Sequence, residues 1–372
     1  MKNQSALLAT SISDPERLCQ LTLQEWDLLI RQARRASLLS RIAYLAGEAD
    51  CHQTLPASVI MHLSSARRVA DKQAQVVRFE ISCIEQALQP VKIPVVLLKG
   101  AAYVAADLPP AKGRIFSDID IMVPKSDLEA VERYMIRHGW MTTHHDKYDQ
   151  RYYRQWMHEL PPMKQTRRGT VIDIHHAILP ETARLHPNSE KLLANIQPVA
   201  GYENIYTLSN IDMVLHSATH LFHDGELENG LRDLVDLDAL LRHFGKEQAF
   251  WDELVERAAI LELGRPLYYA LQYSTQILQT PVPEVVMKAA KTLGKPSAAL
   301  SLLIDALFSR ALMPDHASCD DKFTPLARWL LYIRSHYLRM PLHLLIPHLL
   351  RKAIKKRQAE KPLAAVAEVE KP

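Results

Sequence analysis

The stretch Asp118-Ile119-Asp120-Ile121-Met122-Val123 decides how this chain is read. Its period-two alternation marks a strand. Asp118 and Asp120 therefore leave the same face, roughly 7 Å apart at Cα, while Ile119, Ile121 and Val123 enter a core on the other side. A slip of one residue would exchange the two faces, so the apolar set pins the register. Val171-Ile172-Asp173-Ile174-His175 repeats the pattern with a single aspartate. Like charges side by side on a sheet repel. A bound cation relieves that repulsion, and carboxylates from neighbouring strands are hard oxygen ligands suited to Mg²⁺. The plainer readings are solvent-exposed carboxylates or turn caps at 118 and 120, and local pairing or capping at 173. As a functional group, Asp173 is either a third metal ligand or a general base for an attacking hydroxyl.

Upstream, Val95-Val96-Leu97-Leu98-Lys99-Gly100 reads as a buried strand that ends at a glycine, and the small residues Ala101 and Ala102 suit a helix start. Backbone amides at Gly100 and Ala101 form a ready phosphate site, approachable because Gly100 lacks a Cβ. Lys99 and Arg114 supply positive charge suited to a triphosphate; Lys99 equally fits a pairing with an aspartate. Ser117 supports a phosphate or caps the turn into the Asp-x-Asp strand. His175 shares a face with Asp173, where an imidazole orients the carboxylate, touches an acceptor, or is simply a satisfied buried histidine. His216, His220 and His223 follow at spacings of four and three, on one face of a helix. That spacing permits a transition metal, but no zincin glutamate and no nearby cysteine supports zinc.

Strand, glycine, short helix, Asp-x-Asp strand and a later strand with a third aspartate resembles the DNA polymerase β-like nucleotidyltransferase superfamily. The local wording is Leu97-Leu98-Lys99-Gly100-Ala101-Ala102, then Arg114-Ile115-Phe116-Ser117-Asp118-Ile119-Asp120, then Ile172-Asp173-Ile174-His175-His176. It is similar to a bacterial family of uncharacterised nucleotidyltransferases, over about residues 20–245. The resemblance implies that Asp118, Asp120 and Asp173 are catalytic and bind Mg²⁺. It further implies that Lys99, Gly100, Ala101, Arg114 and Ser117 surround the nucleotide. The superfamily's usual Gly-Ser is Gly100-Ala101 here, so a hydroxyl that contacts phosphate in many relatives is missing. Leu231-Arg232 and Asp236 match a Leu-Arg-x-x-x-Asp helix that follows a His-rich helix in the family. By that likeness a helical module packs against the nucleotide site, with His175, His220, Arg232 and Asp236 in substrate contact or in packing, and His220 paired with Asp236. Asp233 stands where the family has an apolar or aromatic residue.

Across 372 residues, 48% are hydrophobic and 23% charged, which describes an ordinary protein with a sizeable core. The net charge of +3 is too small to argue for nucleic acid. Cys19, Cys51, Cys83 and Cys319 show no CxxC spacing, so neither a zinc site nor a disulfide framework is expected, and a reducing cytoplasm is the natural compartment. The N-terminal apolar patch is too brief for a signal sequence or a span.

The expected fold is α+β: a small mixed β-sheet nucleotidyltransferase core over 91–205, flanked by N-terminal helices over 1–90 and a C-terminal helical region over 206–357. A helix is expected over 22–47, opened by a Thr22/Glu25 capping box, and a second from near 56 to about 89. A third, 126–138, opens on a Ser126/Glu129 capping box and ends at Gly139. Tyr148, Tyr152, Tyr153 and Trp156 fall in a stretch read as a strand or two with a basic turn at Arg167 and Arg168. The basic run 351–357 suits peripheral contact with an anionic membrane or acidic partner, or is a solvated helix end, and 358–372 has the composition of a disordered tail.

The function expected is transfer of a nucleoside monophosphate from an NTP to an unidentified acceptor hydroxyl, by Mg²⁺-dependent two-metal-type catalysis. The alternative is a catalytically silent nucleotide-binding or regulatory module, antitoxin-like or membrane-peripheral in polysaccharide biosynthesis.

Overall fold

Seven short strands form one mixed sheet: β1 (Val95–Leu97), β2 (Ile119–Met122), β3 (Trp140–Thr142), β4 (Met163–Gln165), β5 (Val171–His175), β6 (Gln197–Pro198) and β7 (Ile205–Thr207). Their spatial order is β3-β4-β5-β2-β1-β7-β6. The computed structural model of the protein describes residues 5–347 except 52–53, 144–145 and 225–226, together with residue 349. The expectations for 351–357 and 358–372 lie outside the described residues. The three central strands are the buried apolar runs of the sequence. β1 runs antiparallel to β2 and parallel to β7, and β2 runs parallel to β5. The fold is α+β, with helices before and after the sheet.

Before the sheet come α1 (Leu7–Ser13), α2 (Leu23–Arg35), α3 (Leu39–Glu48) and α4 (Ala57–Leu88). The Thr22/Glu25 capping box forms as expected. The single helix expected over 22–47 is instead two. Ser37 takes a positive φ of 56°, and the Leu38 amide closes back on the Ala33 carbonyl at 2.7 Å. The reversal lets Leu29 and Ala33 of one helix and Ile42 and Ala46 of the next bury in the same core, which a straight rod could not do. The chain reaches the sheet through α4, 32 residues and about 48 Å long.

A second correction concerns the cysteines. Cys19 and Cys51, 32 residues apart, are joined in a disulfide because the 3₁₀ turn Pro15–Gln20 packs on α3. Disulfides are rare in reducing compartments, so the cysteine count gives no argument for one. Among the described residues no helix is long and apolar enough to cross a membrane.

Within the sheet region lie α5 (Lys99–Ala105), α6 (Leu128–Arg137), α7 (Lys147–Trp156) and α8 (Ser189–Leu193). The capping box expected at Ser126 is absent. A 3₁₀ turn, Lys125–Asp127, delays the helix start, and the Ser126 hydroxyl donates to Asp127 instead. Gly139 does end α6, with φ 83°. The aromatic stretch expected as strand is helix α7, where Tyr152 and Trp156 meet at the i, i+4 spacing. The basic turn lies between β4 and β5. Arg168 there donates to Glu80 of α4 at 2.6 and 2.9 Å.

After the sheet come α9 (Asn210–Thr219), α10 (Gly230–Phe244), α11 (Gln248–Ile260), α12 (Gly264–Leu278), α13 (Glu284–Gly294), α14 (Ala298–Ala311) and α15 (Thr324–Arg339). One hydrophobic core runs from Leu7 through the sheet to Leu331.

Candidate active site

The parallel pairing of β2 and β5 sets Asp120 directly across from Asp173. Adjacent strands are ~4.8 Å apart, so two carboxylates are fixed side by side by backbone register. Asp118 precedes β2 on the same face and accepts a hydrogen bond from Ser117 Oγ at 2.8 Å. The apolar partners Ile119, Ile121, Ile172 and Ile174 are buried behind them.

Lys99 leads α5 into this face. It holds a positive φ of 44°, which is rare for a residue with a Cβ and typical of a strand-to-helix turn built around a site. Its Nζ lies 3.1 Å from Asp120 Oδ1, and His175 Nε2 lies 3.1 Å from the same oxygen. Burial opposes ionisation of Asp120, yet Lys99 and His175 hold its carboxyl well below the usual range. Asp173 behaves oppositely. Burial, then the charges of Asp120 and Glu159, push it up to about 7. Its Oδ1 is buried with no hydrogen-bond partner. The face thus holds one compensated carboxylate and one on which burial and neighbouring acids outweigh the nearby His175.

His216 and His220 lie near Lys99 and Asp120. Burial, and then the nearby Lys99, depress His216 to about 3 and His220 well below its ordinary value. The His216, His220, His223 stripe does not persist as one face. The chain winds into a π-turn at His220–Asp224, and His223 ends up buried near Arg334 and Arg339 with neither ring nitrogen bonded.

Several expectations are corrected here. Asp236 is not the partner of His220: its Oδ2 accepts from Arg114 Nε at 2.7 Å, and its Oδ1 lies 3.9 Å from Arg41. Arg114 is therefore committed to the helical region, and its side chain is only 10% exposed. Burial opposes the charge on Arg114, but Asp236 and Asp233 outweigh it and hold the guanidinium charged. The space at Gly100 is also taken, since a Cβ there would meet Arg114 Nη1 at 2.7 Å and Phe116 at 2.8 Å. A side chain at 100 would have to displace Arg114 or Phe116. Arg232 pairs with its neighbour Asp233 at 2.9 Å, which explains a charged residue at 233: it serves two arginines. Ala101 is buried in the first turn of α5.

The residues missed in the sequence are His158 and Glu159. Glu159 forms an isolated antiparallel bridge with His175, and its Oε2 lies 3.4 Å from His175 Nδ1. They sit in an irregular segment before Pro161-Pro162, where no periodicity marks a buried face. The only available signal was an acid next to a histidine just ahead of a strand.

A family model described as uncharacterised nucleotidyltransferase matches residues 22–279, more than half of the chain. The chain belongs to that nucleotidyltransferase family. No curated protein and no solved structure matches it. The matched span begins at the capping box of α2 and ends just past α12, so the family unit includes the N-terminal helices, the sheet and the first helices after it.

Proposed function

We propose that this nucleotidyltransferase moves a nucleoside monophosphate from an NTP to an acceptor hydroxyl at the face formed by Asp118, Asp120 and Asp173, with Mg²⁺ as the metal. The observation that carries the reading is the in-register pair Asp120 and Asp173, with Asp173 Oδ1 buried and unpartnered. Such a group is expensive to bury unless a ligand completes it. The donors are carboxylate oxygens, which suit Mg²⁺. Asp120 meets Lys99 and His175 through Oδ1 alone, which keeps Oδ2 for a further ligand. Asp118, Asp120 and Asp173 would hold the ion, which when bound supplies positive charge against the triphosphate.

The chain's own groups do the rest. Lys99 exchanges Asp120 for a triphosphate oxygen and neutralises charge there. His175 holds Asp120 in orientation through Nε2. Asp173 takes the proton of the acceptor hydroxyl as its oxygen bonds to the α-phosphorus; the bond from that phosphorus to the bridging oxygen breaks, and pyrophosphate leaves. Arg114 packs beside Gly100 while bonded to Asp236, and in this reading supports the turn and does not touch phosphate.

The test is incubation of the purified protein with each α-labelled NTP, Mg²⁺ and cell extract. A labelled acceptor that is lost in Asp120→Asn supports the reading. No labelling with any NTP, together with intact nucleotide binding, points to a silent nucleotide-binding module.

A further inference from the structure

The hairpin that presents Asp173 carries a second set of ligating groups. His158, Glu159 and His175 each offer one ligand atom, and these atoms lie within 4.8 Å of one another. Backbone bonds hold them in place. The His176 amide donates to the His158 carbonyl at 2.8 Å, and the Leu160 amide donates to the Ile174 carbonyl at 2.8 Å. The two imidazole rings face each other at 5.1 Å between centroids.

The unbonded nitrogen of His158 points to something bound there, and the setting of His175 admits it. His158 is only 8% exposed, and its Nδ1 is buried with no hydrogen-bond partner. A buried ring nitrogen without a partner forfeits its hydration for nothing in return. His175 lies between two carboxylates, with Nε2 at 3.1 Å from Asp120 and Nδ1 at 3.4 Å from Glu159. With both ring nitrogens protonated, His175 donates to each carboxylate. A metal at Nδ1 would take the place of that proton against Glu159 and leave Nε2 donating to Asp120. Histidine bound to metal through one nitrogen and to a carboxylate through the other is the usual arrangement at such centres.

We propose that His158, Glu159 and His175 bind one divalent transition-metal ion of the Zn²⁺ class. Two imidazoles and a carboxylate select such an ion over Mg²⁺, which prefers all-oxygen sites. Three protein ligands leave a coordination position open, as in catalytic centres. Glu159 is 16% exposed at its side chain and gives the ion its way in. The site does not rest on the nucleotidyl-transfer reading, although it shares His175 with that face and the charge of Glu159 is felt at Asp173.

The experiment titrates Zn²⁺, and separately Co²⁺, into metal-free full-length protein in excess Mg²⁺ and without nucleotide, followed by calorimetry and by the Co²⁺ absorption spectrum. One equivalent of Zn²⁺ should bind despite the Mg²⁺, and Co²⁺ should give a spectrum of mixed nitrogen and oxygen coordination. His158→Gln and Glu159→Gln should each weaken Zn²⁺ binding by about 100-fold or more, whereas Asp118→Asn should leave it unchanged. Absence of saturable binding, or equal binding by wild type and both variants, overturns the proposal. So does a loss in Asp118→Asn as large as in Glu159→Gln, which would move the ion to the aspartates. Should His158→Gln fail to fold by near-UV dichroism, Glu159→Gln, at the solvent edge, decides the question. Because no nucleotide is present, failure of nucleotidyl transfer cannot be mistaken for failure of this site.

Discussion

On one side of the Gly100 turn, Arg41, Arg114 and Arg232 meet Asp233 and Asp236. On the other, Asp118, Asp120, Asp173 and Glu159 face Lys99 and His175. Both clusters are largely buried and lie next to each other, yet only in the first does each carboxylate meet a guanidinium. Arg41 also donates to the Pro109 and Pro110 carbonyls at 2.9 and 2.7 Å, while its Nε is left buried and unbonded. It joins α3, the loop before β2 and α10, three segments far apart in sequence. The second cluster has more acid than base and leaves an oxygen of Asp173 unbonded. A charge-matched network ties distant segments together, whereas the acid-rich face lacks the bases to match it.

Substitutions should pull the two clusters in opposite directions. The largest effect belongs to the acid-rich one: Asp120→Asn or Asp173→Asn should lower nucleotidyl transfer by at least about 10²–10³-fold, as loss of a preorganised charge does. Wild-type labelling by either variant would remove the pocket from the mechanism. In the charge-matched cluster, Asp236→Ala strands Arg114 in the interior and should destabilise the fold by about 3–5 kcal/mol, read as a fall in the urea midpoint. An unchanged midpoint would show that the network is ornamental.

The sharpest contrast is the stability of Asp173→Asn. A carboxyl raised from its ordinary value to about 7 binds its proton more tightly in the folded state. Stability is therefore present below the ordinary value and is lost as pH rises toward 7. Removing the charge should raise metal-free stability at pH 8 by roughly 2–4 kcal/mol and do little at pH 4. Added Mg²⁺ should erase the difference by stabilising the wild type alone.

His223 provides a smaller test away from both clusters. Burial, with Arg334 and Arg339 nearby, depresses it to about 3. A depressed histidine stays neutral when folded, so its contribution is intact above the ordinary value and is lost as pH falls toward 3. His223→Leu should remove about 1.4 kcal/mol per pH unit from the acid slope of stability between pH 6 and 4. Smallest of all, Ser117→Ala removes a bond between exposed groups and should change stability by under about 0.5 kcal/mol. A marked loss of activity there would extend the acid-rich cluster to residue 117.

Alternation made β2 and β5 legible, and with them the placing of Asp120 and Asp173 on strands; Asp118, expected on the same strand, lies just ahead of it. The caps at Thr22 and Gly139 were legible because cap chemistry is local. What failed was decided by distant partners. Ser126 and Glu129 have capping-box spacing, but the preceding 3₁₀ turn takes the helix start elsewhere. The residues 22–47 carry one helical stripe, and the bend at Ser37 answers to a core that the stripe cannot describe. Arg114 has the position of a phosphate ligand in the motif, and its partner is Asp236, 122 residues away.

By itself, the order of residues determined the three central strands, their buried faces and the family, because periodicity and short motifs act over a few residues. Tertiary structure alone decided which carboxylates meet a counter-charge. Lys99 and His175 reach Asp120, Arg114 reaches Asp236, and Asp173 is left with an unbonded oxygen beside Asp120. Charge pairing depends on distances of a few ångströms between groups far apart along the chain, and only the packed chain sets those distances.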